Sequence, residues 1–422
     1  MTTGPTTKDM LGRSALISVS DAREIMLKHL EETKLSTEIV SLPDGLDRIL
    51  ATALQSHENL PPHPRSVMDG FAVIARDTYG ASESMPCYLQ ISGSVAMGEM
   101  PAGSVEKGNC YRIATGGFMP SGSDAVVMHE HTVPVDDTMV EIVKSCGSGT
   151  NIIGIGDDIR QGETAVPAGR LLRPQDLGLL AALGCVEVEV FRKIRVGVMS
   201  TGDEIIPHYE TPQGGQIRNI NSIALGTLAR HCGAEVIDYG IVSDSREIFL
   251  PTLQRAVSEN DIVLFSGGSS VGVRDLGEQA IEALGPPGVL VHGVKLKPGK
   301  PIIIGFSDST PVFGLPGHPV SAMVCFDLFV KPAIDKISGI TDAPYPEPSI
   351  TATLARNINS AAGRLDLVRV QMRQGDSGPV ADPVLGRSGA ISTLARAHGY
   401  FLIDEDSQGA TQGSKVEVFL YR

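Results

Sequence analysis

Tryptophan is absent from this chain of 422 residues, and aromatic side chains make up only 5% of it. So little aromatic surface argues against base stacking as a main binding mode. Positive charge is also short: 35 Lys and Arg stand against 49 Asp and Glu, a formal net charge of −14. Nucleic acids and anionic membranes need a basic face, so neither is an expected partner. An anionic small ligand stays open, provided its site supplies local compensation. The six cysteines are Cys87, Cys110, Cys146, Cys185, Cys232 and Cys325. No two form a CxxC and their spacing is unlike a zinc site, which suits scattered thiols of a reducing cytoplasm. No run of about 18 apolar residues exists, so no spanning helix is expected. The opening MTTGPTTKDMLGRS lacks the apolar core of a secretory signal, and a cytoplasmic location is the expectation. HExxH and the P-loop are missing too, which removes the usual zinc-protease and NTPase signatures.

What is plentiful is turn chemistry, with 47 glycines and 27 prolines. At roughly 100–200 residues per domain, the length predicts two to four domains. SVSDAREIMLKHL carries a cap signal at Ser20–Asp21 followed by apolar residues at helical spacing. A second helix is expected over Gly45–Ser56, after the Pro43–Gly45 turn. From about Asn59 to Asn151, short apolar runs (GFAVIA, YLQISGSV, CYRIAT, DAVVMHE, MVEIVKS) alternate with turn residues and predict a β-rich module. PQDLGLLAALG reads as a short helix ending at glycine. From Ile194 the period changes: apolar strands alternate with helices such as NSIALGTLARHCG, REIFLPTLQRAVSE and LGEQAIEALG, the mark of βαβ units and a parallel sheet. The proline-rich stretch ITDAPYPEPS then leads to ITATLARNI, LVRVQMR, TLARAHGYFLI and SKVEVFLYR, whose two-residue period predicts a small closing β domain.

In open parallel sheets, ligands bind beyond the carboxyl ends of the strands. Three loops lie there: STGDE at Ser200–Glu204, VSD ending at Asp244, and SGGSSVGVRD ending at Asp275. Gly267 and Gly268 allow close backbone approach to a bulky anion, with Ser269 and Ser270 as donors. Read alone, the glycine pair is equally a plain strand-to-helix turn. Asp203, Glu204, Asp244 and Asp275 end or follow strands of one sheet edge, an arrangement suited to Mg²⁺, which prefers hard oxygens. Singly, Asp203 and Asp244 also read as helix caps. KLKPGKP, with Lys297 and Lys300, is a candidate anion clamp or a solvated basic turn. GLPGHPVSAM holds Pro316, His318 and Pro319, with Pro319 suited to a first helical turn whose dipole faces an anion. His318 reads as a ligand contact or a structural cap. Asp69 in SVMDGFAV reads, unaided, as a turn acid.

Together SVMDGFAV, RIATGGFMPSGSDAVV, IGDDIRQG, STGDEI, GQIRNINS, SGGSSVGVRD, KPGKPIIIG and GLPGHPVSA, in this order, resemble the molybdopterin molybdenumtransferase family, which includes the E domain of gephyrin. The resemblance covers the chain from about Ala22 to its end. It implies an α/β multidomain protein: a discontinuous N-terminal domain (15–58 and 152–190), an inserted β-rich domain (59–151), a molybdopterin-binding α/β domain like the molybdopterin adenylyltransferases (191–340) and a C-terminal β-barrel-like domain (341–422). It implies insertion of molybdate into adenylylated molybdopterin with Mg²⁺, releasing AMP and molybdenum cofactor, by a homodimer. A molybdopterin adenylyltransferase and molybdoenzyme apoproteins are the implied partners. By the same resemblance Asp69, Thr115, Asp158, Glu204, Asp244 and Asp275 are catalytic, with Asp244, Asp275 and Glu204 holding the metal. Lys297, Lys300, Pro316, His318, Pro319 and Ser388 bind substrate beside the glycine loop. The chain departs from the family pattern at Ser269, where valine is common, at His318, where asparagine is common, and at Gly117. A tungstate preference, the adenylyltransferase reaction and a gephyrin-like scaffold are the alternative readings.

Overall fold

Strands that are apolar along their whole length need cover on both faces, and the sheet begun by Arg195–Thr201 has it. The computed structural model describes residues 16–31, 33, 35–267, 271–341 and 348–421, with side chains at 271–275 left aside. Gly268, Ser269, Ser270 and the side chain of Asp275 therefore lie outside the described residues. The chain divides into two compact units. The first holds residues 1–52, 168–173 and 187–422; the second holds 53–167 and 174–186.

In the first unit a six-stranded sheet runs in the order Glu235–Val242, Arg195–Thr201, Ile262–Gly267, Thr310–Pro316, Ile303–Ser307, Pro287–His292. Neighbours among the first four strands pair in parallel. Along Ile262–Gly267, Ile262 and Leu264 face one core and Val263 and Phe265 the other, as the two-residue period of a strand requires. The helices Asn221–His231, Arg246–Glu259 and Val271–Ala283 connect the parallel strands. One expectation is corrected: the sheet is mixed, because Ile303–Ser307 runs antiparallel to both neighbours. Only Asp308 and Ser309 join it to Thr310–Pro316, and so short a connection permits a hairpin alone. The helix after Thr310–Pro316 starts at Pro319 and passes through a π-helical turn, Phe326–Val330, to Ile337.

The C-terminal strands close a five-stranded barrel, Leu365–Gly375, Gly378–Pro383, Ser349–Leu354, Lys415–Leu420 and Gly399–Ile403, the last returning to the first. Gly378–Pro383 has no clear signal in the sequence, since prolines occupy positions 379 and 383. TLARAHGYFLI splits into the helix Ser392–Arg396 and the strand Gly399–Ile403. A further short strand, Leu296–Lys297, joins the barrel in parallel, with Lys297 opposite Asp366.

The helix expected over Gly45–Ser56 does not form. Pro43–Gly45 makes a 3-10 turn, and Asp47 then adopts a left-handed φ of 58° that ends helical propagation. The amides of Asp47 and Leu50 bond to the carbonyls of Leu172 and Arg170, so tertiary pairing overrides the local pattern. The first helix, Val19–His29, is capped by Ser18, whose hydroxyl accepts from the Asp21 amide at 3.0 Å, not by the Ser20–Asp21 pair.

The second unit centres on a six-stranded sheet, ordered Ala125–Met128, Gly70–Val73, Asn109–Ile113, Cys87–Val95, Met139–Ile142, Thr132–Pro134. Phe71, Leu89, Val127 and Ile142 form part of its core. Among the described residues, no helix is long and apolar enough to cross a membrane.

None of the six cysteines is in a disulfide, and Cys110 and Cys325 are fully buried. Burial pushes the Cys110 thiol up to about 12 and raises that of Cys325 further still. Thiolate is the reactive form. At pH 8, native protein should therefore leave Cys110 and Cys325 unalkylated by iodoacetamide, while all six react in denaturant; peptide mass mapping reads the difference.

Candidate functional site

Lateral register places the loops. Thr201 pairs with Val242 on one side and Gly267 on the other, and Gly267 pairs with Pro316. Four strands thus end side by side, and the chain crosses from one flank of Arg195–Thr201 to the other, the switch point where open α/β sheets bind ligands. Gly267 is required there. A Cβ would overlap the Thr201 hydroxyl and lie 2.7 Å from the Thr201 carbonyl oxygen.

A buried polar network holds these strand ends. The side-chain amide of Asn221 donates to Ser266 Oγ at 2.7 Å and to the Gly317 carbonyl at 2.9 Å. It thereby ties the strand before the glycine loop to the turn carrying His318. The Ser200 hydroxyl donates to Asn219 Oδ1 and also pairs with Ser222 Oγ, both at 2.9 Å. GQIRNINS is the sequence signal for this network, although its side chains show no role until the strands are in register.

The acids gather beside it. Asp203 accepts from Ser243 Oγ at 3.0 Å and from the Asp244 amide at 3.4 Å, so it brackets two loops. Asp244 does not cap the next helix, whose N-cap residue is Ser245. Instead its Oδ1 is buried and, among the described residues, has no hydrogen-bond partner. Burial, then the charges of Asp203 and Glu204, raise the Asp244 carboxyl above its ordinary range, against the Thr201 hydroxyl that lowers it. A buried carboxylate oxygen with no donor, facing like charges, suits a hard cation. Among the described residues no three acid, histidine or cysteine groups close around one point. A cation on Asp244 and Glu204 would complete its shell from ligand oxygens and water, as Mg²⁺ commonly does.

Next to the glycine loop lies a cavity of about 740 Å³. Its walls include Gly267, Lys297, Lys300, Pro316, His318 and Ser388 of the predicted substrate-binding set. Pro319 is buried behind them at the helix start. Lys295, Arg364, Arg369 and Arg387 also line it. The cavity is cationic within an acidic chain, a setting for an anionic ligand. Lys297 Nζ donates to Asp366 Oδ2 at 3.3 Å, and Arg364 Nε to Asp366 Oδ1 at 2.8 Å. His318 Nδ1 lies 2.9 Å from Ser388 Oγ, so two residues predicted separately form one hydrogen-bonded pair across the α/β domain and the barrel. The barrel arginines and Asp366 were not picked out from the sequence. On a two-residue period Asp366 and Arg369 look like any solvated strand face, and Arg364 and Arg387 lie in loops.

Three predicted residues belong to the second unit. Asp69 Oδ1 accepts from the Thr115 amide at 2.8 Å, and the Asp69 carbonyl from the His129 amide at 3.1 Å. The Asp158 amide donates to the Leu60 carbonyl at 3.0 Å.

Comparison with known proteins is consistent along the chain. Residues 17–184 match the MoeA N-terminal region (domain I and II), 197–336 a probable molybdopterin binding domain, and 351–421 the MoeA C-terminal region (domain IV). A molybdopterin molybdenumtransferase of Haemophilus influenzae is 31% identical over 96% of this chain and 98% of its own. One from Staphylococcus epidermidis is 31% identical over 96% and 95%. A crystal structure of a molybdopterin biosynthesis MoeA protein from Pyrococcus horikoshii superposes with a TM-score of 0.84 at 31% identity, covering 96% of this chain and all of that one.

Asn221 is the network's hub and is 8% exposed. Asn221→Ala strands the Ser266 hydroxyl and the Gly317 carbonyl, and an unmet buried partner costs about 1–3 kcal/mol. Urea unfolding should show a loss of that size, with an unchanged denaturant slope.

Proposed function

The chain belongs to the molybdopterin molybdenumtransferase family, transferases of molybdenum cofactor biosynthesis, and from that premise we propose that it inserts molybdate into adenylylated molybdopterin with Mg²⁺, releasing AMP and molybdenum cofactor. The observation that carries the reading is the juxtaposition at one sheet edge: a cationic cavity beside Gly267, and a buried carboxylate oxygen on Asp244 with no partner among the described residues.

Each part of the chemistry has residues suited to it. The substrate carries a diphosphate and receives a dianionic oxyanion, so the site must gather negative charge in a chain that repels it. Lys295, Lys297, Lys300, Arg364 and Arg387 meet that demand on the cavity wall. Gly267 lets the strand end that borders the cavity pack directly against Thr201. The His318–Ser388 pair presents a hydroxyl and an imidazole in fixed orientation on the cavity wall. Asp244 and Glu204, with Asp275 from the helix Val271–Ala283, are the residues that would hold Mg²⁺. When bound, Mg²⁺ would polarise and orient the diphosphate and offset charge on the departing AMP. Asp203 keeps the Asp244 loop in place through its bonds to Ser243 and the Asp244 amide. The homodimer belongs to the same proposal.

Incubation with adenylylated molybdopterin, Mg²⁺ and either molybdate or tungstate should release AMP, read by chromatography. No AMP under any condition would sink the reading. Asp244→Asn and Asp275→Asn should retain the fold, read by circular dichroism, and lose at least about a hundredfold of that rate, the scale of removing a main electrostatic contributor. The Asp244 carboxyl is raised, so protons compete with Mg²⁺ for it at a higher pH than for an ordinary carboxylate. Half-maximal AMP release should then need more Mg²⁺ as pH falls, and Asp244→Asn should abolish that dependence. Sedimentation velocity should give twice the 44.6 kDa chain mass.

A further inference from the structure

A carboxylate on the wall of an anion-binding cavity works against the ligand's charge, yet Asp366 stands there, buried to 4% exposure. We propose that Asp366 is a positioning residue: it fixes Lys297 and Arg364 as a pair, so that two cations from different parts of the fold meet one oxyanion in a set geometry. The inference rests on the proposed function and deepens it, assigning how the oxyanion end of the cavity is organised.

Asp366 uses both oxygens. Oδ2 accepts from Lys297 Nζ at 3.3 Å and from Arg364 Nη2 at 3.4 Å, and Oδ1 accepts from Arg364 Nε at 2.8 Å. Its side chain is 5% exposed, while those of Lys297 and Arg364 stay 56% and 36% exposed. Each cation is therefore anchored on one side and open on the other. The backbone enforces the arrangement. Lys297 lies on the short strand Leu296–Lys297, paired in parallel with the barrel strand so that Lys297 and Asp366 sit opposite each other. Arg369, also on that wall, is already engaged with Thr393 Oγ1 at 2.7 Å and the Gly386 carbonyl at 3.2 Å. Lys295, Lys300, Arg387 and His318 complete the charged or titratable lining.

The physical trade is field against order. Asp366 cancels one unit of positive charge. In return it removes rotamer freedom from two side chains that each carry about 2 kcal/mol of it, and a preorganised pair loses less on binding. The two effects predict opposite signs when the charge is deleted, which makes the role testable without turnover.

Sodium molybdate is titrated calorimetrically into the full-length protein and its variants. D366N should bind about tenfold more weakly, although the cavity gains a net positive charge, and D366E should recover to within about threefold of wild type. K297Q should cost less in the D366N background than alone, because coupled partners are not additive. Equal or tighter binding by D366N overturns the inference, leaving a cavity that acts by field alone. A lowered melting temperature with unchanged affinity overturns it as well, in favour of a purely structural residue. Should D366N not fold, the K297Q/R364Q cycle, which keeps Asp366, decides: coupling above about threefold supports the pairing and additivity overturns it. Wild type that binds no molybdate refutes the proposed function and this inference together. Wild type that binds while D366N loses nothing refutes this inference alone.

Discussion

The site depends on lateral hydrogen-bond register among strands that end together. Thr201, Gly267 and Pro316 occupy one row of the sheet, so the loops that follow emerge side by side. Close packing in that row leaves no space for a Cβ at residue 267. Asn221 then carries the row's alignment into the turns, spanning Ser266 and Gly317 with a single amide. Neither the acids nor the cavity would face a common ligand without that alignment.

Electrostatics divides the edge into two zones. On one side Asp203 and Glu204 crowd Asp244, and burial makes the negative charge of Asp244 costly. On the other, lysines from one loop and arginines from the barrel face the cavity. A ligand with phosphate oxygens and a bound divalent cation satisfies both at once, the cation against the acids and the anionic groups against the bases. The chain's overall acidity is no obstacle, because the compensation is local.

Much of this was legible in the sequence. The alternation of strands and helices, glycines directly behind an apolar run, and acids after strand ends all arise from local chemistry, which a sequence displays. What was hidden depends on tertiary pairing. Gly45–Ser56 looks helical until the amides of Asp47 and Leu50 are seen bonded to Leu172 and Arg170. Ile303–Ser307 reads as one more strand of a parallel sheet, and only the two-residue turn after it reveals the reversal. His318 and Ser388 are 70 residues apart in the chain, and their bond appears only when the barrel is placed. Arg364 and Arg387 were missed because basic residues in loops beside strands read as solvated, and Asp366 because nothing in a two-residue period tells which strand face overlooks a cavity.

The brief strand Leu296–Lys297 is stitched by backbone pairing to the barrel, not to the six-stranded sheet whose edge it serves. The lysine turn is thus mechanically part of the barrel wall. A swing of that turn by itself would have to break main-chain bonds, so widening the cavity calls for loop and barrel to travel as one body.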